Sequence, residues 1–496
     1  MARYKSQGFT KLADASYFHG GSEGLYATRF LNVPGSSPDT PLPLKGKSFI
    51  RFEDVSFLRT KESAIKQNST QSSAGLVEAI LFVAKQQDRI GRSLLKTENM
   101  CCTQALADAG SCNLGEVIIS ADPNDPHQGP KRIHTFFKSG EQEVKMSLEA
   151  VAINRTGWYT VYFMTCDPEL DGTIIRGRTV WKNLDGYLPG DQAHLMNFYG
   201  FMFLAYVVLG LVWFPQVFRY RRGGIHFQNQ ISLLISVSIY ELAFLYYDFA
   251  YLNSAGSSPT DVTFCVVTLS SARKAVSRLL LLFLSSGYGI IKPTFDRITL
   301  RMLLAGVLCF VISEALGLAM HFGNIPENGM TFLALSWAIL ETCFIQWIFR
   351  SLFETLKNLK VNKRNIAKLQ LYKKFARVLV TMVVLNIFWI YVEVYAFKYL
   401  SLSELWHVTW IIPTVWYLLS YALLVFICFS WAPTEKPTRY LYIAEMEDEF
   451  EEADEELSLI ESGEKTEDGD AERRTLLDAF IIFFGNIPRG RHENPT

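Results

Sequence analysis

Between Leu195 and Phe218, and again between Val408 and Trp431, the chain has no Asp, Glu, Lys or Arg. Each run is 24 residues long, more than the ~20 needed to cross a hydrocarbon core of about 30 Å. That lack of charge excludes a wholly soluble protein, because a helix with no polar face has nothing to offer water. Other features are missing as well. Met1 to Leu25 is polar and Gly-rich, without the apolar stretch of a signal peptide. No H-E-x-x-H or G-x-S-x-G occurs, His19, His127 and His134 lack metal-ligand spacing, and the glycines at 20, 21 and 24 neither follow a strand nor open a helix. These absences leave no catalytic residue, metal or cofactor to assign, and the expectation is a protein that is not an enzyme and has no nucleic-acid partner.

What is present divides in three. Of 496 residues, 49% are apolar and 14% aromatic, and the net charge of -1 is a cancellation of basic loops against an acidic tail. Seven apolar segments lie near 195–218, 229–251, 262–291, 301–320, 330–353, 378–398 and 408–431, within a membrane domain of 191–434. Loops after the first, third and fifth are basic, with Arg219, Arg221 and Arg222, then Lys292, Arg297 and Arg301, then a run from Lys357 to Arg377. The alternate loops 252–261, 321–329 and 399–407 hold no Lys or Arg. By the positive-inside rule, residues 1–190 are lumenal or extracellular and the tail, 435–496, is cytosolic.

Two further signals agree. The sequons at Asn68 and Asn154 lie in the N-terminal part, where glycosylation occurs. So do Cys101, Cys102, Cys112 and Cys166, an even set that predicts two disulfides in an oxidising lumen. Neighbouring Cys101 and Cys102 do not bond each other; one closes the short loop to Cys112 and the other reaches Cys166. A translocated domain needs a leader, so the expectation is a mature or truncated chain, the alternative being that the first apolar segment carries the domain across. Short β-branched or alternating runs at 49–58, 76–83, 116–120, 133–137, 144–153, 158–166 and 173–181 predict a β-sandwich, with a helix at 104–109 between the cysteines.

Charges inside the apolar segments are costly and mark either buried ion pairs or a polar cavity. Segment 3 has Arg273, Lys274 and Arg278; at about 1.5 Å per residue Lys274 falls roughly 18 Å in, with Arg278 one turn further on the same face. Segments 2, 4, 5 and 6 supply Glu241 and Asp248, Glu314, Glu341 and Glu393. Five acids against three bases largely neutralise one another, or line a cavity in which the bases attract a phospholipid headgroup and the acids pass or sense cations. The paired glycines of Gly287-Tyr-Gly-Ile-Ile-Lys-Pro293 predict a helix terminus packed against a neighbour.

The tail has fifteen acids between Glu445 and Glu472, a composition that stays disordered. Acidic dileucine patterns occur at Glu455 with Leu459-Ile460 and at Glu472 with Leu476-Leu477, and Tyr440 with Ile443 fits tyrosine-x-x-bulky apolar. In extended form these match the basic patch and pockets of a clathrin-adaptor-type coat protein. The stretch 476–487 reads alternatively as an interfacial helix.

Ser271-Ala-Arg-Lys-Ala-Val-Ser-Arg278 running into Gly287-Tyr-Gly-Ile-Ile-Lys-Pro293 resembles the third helix of the lung seven-transmembrane receptor family, also called GOLD-domain seven-transmembrane proteins. Trp347-Ile-Phe-Arg-Ser-Leu352, Arg364-Asn-Ile-Ala-Lys-Leu369 and Leu371-Tyr-Lys-Lys-Phe375 resemble its transmembrane protein 87 branch, and 157–166 and 181–189 are similar to its ectodomain end and linker. The resemblance implies a lumenal GOLD-like β-sandwich on a seven-helix bundle, a Golgi location, Golgi–endosome transport of a cargo the sequence does not name, and a lipid-occupied cavity or cation conduction. By position it matches Glu241, Asp248, Arg273, Lys274, Arg278 and Glu341 to family charges, while Glu314 is displaced from the family's helix 4 acid. Rhodopsin-type activation motifs are not matched: segment 3 lacks Asp-Arg-Tyr and segment 7 lacks Asn-Pro-x-x-Tyr. Vesicular trafficking leads, a cation channel or pH regulator is the alternative, and an orphan signalling receptor stands third.

Overall fold

A computed structural model describes residues 2–12, 14–27, 47–66, 75–91, 99–110, 112–120, 129–138, 140–146, 150–219, 226–287, 297–323, 326–361, 366–399 and 402–432. Asn68 and all the tail motifs, Tyr440, Ile443, Glu455, Leu459, Ile460, Glu472, Leu476 and Leu477, lie outside them.

The N-terminal part is an antiparallel β-sandwich. One sheet holds β1 (Ala2–Gly8), β10 (Ile174–Lys182), β4 (Phe49–Leu58) and, both paired to β4, β7 (Glu143–Lys145) and β8 (Ala150–Ala152). The other runs β2 (Thr10–Leu12), β3 (Ala15–Leu25), β9 (Gly157–Thr165), β5 (Leu76–Val83), β6 (Lys131–Phe136). Alternation fills the space between them: Ile50, Phe52 and Phe57 of β4 meet Val77, Ala79 and Leu81 of β5 and Val161 and Phe163 of β9. Strands β4 and β5 fall at their predicted residues. Three expectations need correction. Residues 2–25 form three strands, and Gly20, Gly21 and Gly24, read as not following a strand, lie within β3. The run 144–153 is split into two short strands. Residues 116–120 make only isolated bridges, Val117 with Cys101 and Ile119 with Ile90.

That last segment belongs to a cover. Ile80, Phe82 and Met164 point away from the main core, and Cys101 and Val117 pack over them as a second apolar cluster. The disulfides Cys101–Cys166 and Cys102–Cys112 hold the cover in place, which settles the partner of each neighbouring cysteine. Helices α1 (Lys61–Lys66) and α2 (Gln104–Asp108) are short, and α2 carries Leu106 inward beside the second disulfide. Asn154 is exposed between β8 and β9.

Among the described residues seven long helices follow: α3 (Ala193–Arg219), α4 (His226–Ala255), α5 (Thr260–Ser285), α6 (Arg297–Phe322), α7 (Glu327–Val361), α8 (Ile366–Tyr399) and α10 (Ile411–Ser430), with the single turn α9 (Leu402–Leu405) before the last. Six are long and apolar enough to cross a membrane. The seventh, α5, carries Asp261, Arg273, Lys274 and Arg278, which lower its hydropathy. Exposed Phe201, Leu204, Val208 and Leu211 on α3 and Val380, Val384 and Phe388 on α8 leave apolar faces that only lipid suits. Segment 3 ends earlier than expected, at Ser285 rather than 291. Gly287, at φ +69°, takes the left-handed conformation that closes a helix and is costly with a Cβ. The last carbonyls are satisfied from other helices: Thr355 Oγ1 of α7 donates to Ser285 O at 2.8 Å and Tyr372 OH of α8 to Leu284 O at 3.2 Å.

The sandwich and the bundle meet closely. Asn253, near the end of α4, accepts the Tyr187 N–H on its carbonyl at 2.9 Å, accepts the Leu188 N–H on Oδ1 at 3.2 Å, and donates from Nδ2 to Asp185 O at 3.1 Å. Trp406, 2% exposed, lies between Gly24 and Gly190. A Cβ on Gly24 would stand 2.3 Å from its ring and one on Gly190 2.8 Å, so the slot exists because both positions lack a side chain. Tyr26 packs on the same indole, ring centroids 4.9 Å apart. A cavity of about 310 Å³ opens beside this seam, lined by Tyr26, Asn183, Asp185, His194 and Asn197 among others.

Candidate functional site

Helix α5 positions the buried bases. It starts after Pro259, whose fixed φ suits a helix entry, with Asp261 in the first turn facing the positive end of the helix dipole. Consecutive side chains on a helix diverge by about 100°, so Arg273 and Lys274 face different neighbours, while Lys274 and Arg278, four apart, share a face.

Arg273 turns to α4 and α10. Its Nε donates to Glu241 Oε2, and Tyr417 OH donates to Glu241 Oε1 at 3.2 Å. The guanidinium carbon lies 4.9 Å from the Tyr417 ring centroid, a cation–π contact on top of the ion pair. Glu241 is wholly buried and the Arg273 side chain 13% exposed. Tyr199 of α3 packs edge-on against Tyr417, centroids 5.6 Å apart, so four helices meet at this carboxylate.

Arg278 turns to α7. Its Nε donates to both oxygens of Glu341, at 3.0 and 2.7 Å, and Nη2 adds a further contact to Oε1. One turn earlier on each helix, Lys274 Nζ lies over the Trp337 ring, 5.5 Å from its centroid. Among the described residues Lys274 makes no ion pair; the carboxylates of Glu241 and Glu341 are paired with Arg273 and Arg278.

The remaining acids stand apart from these pairs. Glu314 on α6 accepts from Thr268 Oγ1 at 2.9 Å through Oε1, while its Oε2 is buried without a hydrogen bond. Asp248 Oδ1 on α4 is likewise buried and unbonded. Glu393 sits half-buried on α8. Thus the eight predicted charges do not form one cluster. Four close into two ion pairs, one base is left over, and three acids are dispersed. Sequence reasoning missed Tyr417, Trp337 and Thr268, which look like ordinary apolar or interfacial helix residues; only their position opposite a charge gives them a role.

This arrangement sits in the part of the chain that a known family covers. Residues 194–438 match the family model described as GOST, seven transmembrane domain. The membrane half of the chain belongs to the GOST seven-transmembrane family. Human transmembrane protein 87A is 30% identical over 279 residues, 56% of this chain and 50% of that protein. Mouse transmembrane protein 87B is 26% identical over 270 residues, 54% and 48% of the two chains. Membrane protein PTM1 of Saccharomyces cerevisiae is 24% identical over 410 residues, 79% and 76%. The chain spans about half the length of the vertebrate relatives it matches. The fold is therefore a GOST seven-transmembrane domain preceded by antiparallel sheets, in a multi-pass membrane protein of the transmembrane protein 87 branch.

Proposed function

We propose that this GOST-family protein is a non-enzymatic component of vesicular transport between Golgi and endosomes, holding a phospholipid headgroup in its bundle at Lys274. The β-sandwich faces the lumen and binds cargo or a partner, and the tail recruits clathrin-adaptor-type coats. The observation that carries the lipid site is the state of Lys274: a cation within the helix bundle, placed on an indole face, with Glu241 and Glu341 already closed into ion pairs with Arg273 and Arg278. An unpaired intramembrane ammonium needs an anion or water, and a phosphate diester supplies the anion in a bilayer.

Purified protein should retain about one tightly bound phospholipid by mass spectrometry. Lys274→Ala is expected to lose most of it and Lys274→Arg to keep it; equal lipid content in all three would overturn the site. Competition with inorganic phosphate separates a headgroup from the free anion. For the tail, alanine at Leu459, Ile460, Leu476 and Leu477 should shift the protein toward the cell surface, and an unchanged distribution would remove the adaptor role.

A second reading, cation conduction, is favoured by the unbonded carboxylate oxygens of Asp248 and Glu314. It predicts protein-dependent cation flux in liposomes that Lys274→Ala alters. No flux above empty vesicles would rule it out.

A further inference from the structure

Strand β5 reads Leu-Val-Glu-Ala-Ile-Leu-Phe-Val, with a single charge among apolar residues. Val77, Ala79 and Leu81 face the main core, so Glu78 lies on the opposite face with Ile80 and Phe82, under the disulfide-held cover. Its side chain is 1% exposed. Directly across the ladder stands His134 of β6, with Arg132 two residues before it on the same face. From the cover comes Glu116, just beyond the loop closed by Cys102–Cys112.

Three chain segments thus converge, each offering a donor. His134 Nε2 and Glu78 Oε1 are 3.1 Å apart. Glu78 Oε2 accepts the Val117 N–H at 2.6 Å, and Glu116 accepts from Asn113 Nδ2 at 3.3 and 3.2 Å. Arg132 Nη1 donates to Glu116 Oε2 at 2.8 Å and stands 3.8 Å from Glu78 Oε1. One ligating atom from each of His134, Glu78 and Glu116 lies within 4.8 Å of the other two.

We propose that His134, Glu78 and Glu116 form a site for a zinc-type divalent cation, in which the Arg132 guanidinium is the occupant that the metal displaces. The charge count favours the exchange. Two carboxylates with one guanidinium leave a net negative charge, whereas two carboxylates with a divalent cation and a neutral imidazole balance. One nitrogen and two carboxylate oxygens suit zinc or a neighbouring transition metal rather than calcium, which takes six to eight oxygens. Burial of Glu78 under the cover keeps one ligand fixed by a backbone N–H, so most of the geometry exists before the ion arrives. Arg132 is a quarter exposed, so its long side chain has a route outward to water.

The test is zinc titration of the full-length protein in detergent at pH 7.4 against a fluorescent zinc indicator, with His134→Asn, Glu116→Gln and Arg132→Gln alongside. The acidic tail adds weak sites common to all four, so the difference between variants is the readout. Wild type should bind one equivalent that His134→Asn and Glu116→Gln both lose, and Arg132→Gln should bind about tenfold tighter or more, since a competing positive charge is gone. Zinc should also raise the unfolding temperature of wild type but not of His134→Asn. Equal binding in wild type and His134→Asn would place zinc elsewhere and overturn the site. Binding only in Arg132→Gln would show that the guanidinium is a permanent occupant and overturn it equally.

Discussion

Replacing Glu241 by Ala is expected to destabilise the bundle by about 3–5 kcal/mol, the cost of leaving a buried charge without its partner. Glu241 is wholly buried and the Arg273 side chain nearly so, and without the carboxylate the guanidinium is left with the cation–π contact to the Tyr417 ring and no ion pair among the described residues. Apolar residues at both positions should recover much of the loss, because desolvation of two charges cancels most of what their attraction gains. The pair Arg278–Glu341 is the internal control. Its side chains are 31% and 23% exposed, so Glu341→Ala should cost clearly less than Glu241→Ala. Thermal unfolding of the wild type and the three variants in one detergent measures this ranking. If the double apolar variant is no more stable than Glu241→Ala, the contact is not an isolated pair and its tyrosine surroundings contribute the stability.

The two disulfides should contribute unequally. By loop-closure entropy the Cys101–Cys166 link, spanning 65 residues, constrains the unfolded chain by about 4 kcal/mol, and the Cys102–Cys112 link, spanning 10, by about 3 kcal/mol. The longer link also fastens the cover over Ile80, Phe82 and Met164. Asp14 assists it, its two carboxylate oxygens accepting the N–H groups of Met100 and Cys101, each at 3.0 Å. Cys101→Ser with Cys166→Ser should therefore lower stability further than Cys102→Ser with Cys112→Ser, and should open the cover to protease first. Cleavage within 99–120 at equal rates in both variants would contradict the difference.

Most of the architecture was legible in the sequence because it follows from periodicity and charge: the seven spans, β4, β5 and the even set of cysteines ahead of the first span. The first three strands were not, since Met1 to Leu25 showed only a polar, Gly-rich composition, and Gly24 is small to admit Trp406. At the charged site the sequence showed which residues had to be neutralised but not the pairing. Arg273 and Lys274 are adjacent, and only the rotation of α5 against its neighbours decides that one meets Glu241 and the other Trp337. The grouping of Glu78, Glu116 and His134 is invisible to spacing, because it is made by cross-strand register and a disulfide loop rather than by proximity along the chain.

The Trp406 slot has a practical corollary. Its walls Gly24, Tyr26 and Trp158 belong to the sandwich, and the indole that fills it comes from the connection before the last helix. A soluble fragment ending before α3 would carry that slot bare, along with a linker that has lost Asn253. Such a fragment is a poor reagent for binding screens on the sandwich: its uncovered aromatic groove would offer apolar peptides a site that is filled in the whole chain. Binding screens are better run on the whole chain in detergent or nanodiscs, where the groove is already filled by the molecule's own tryptophan.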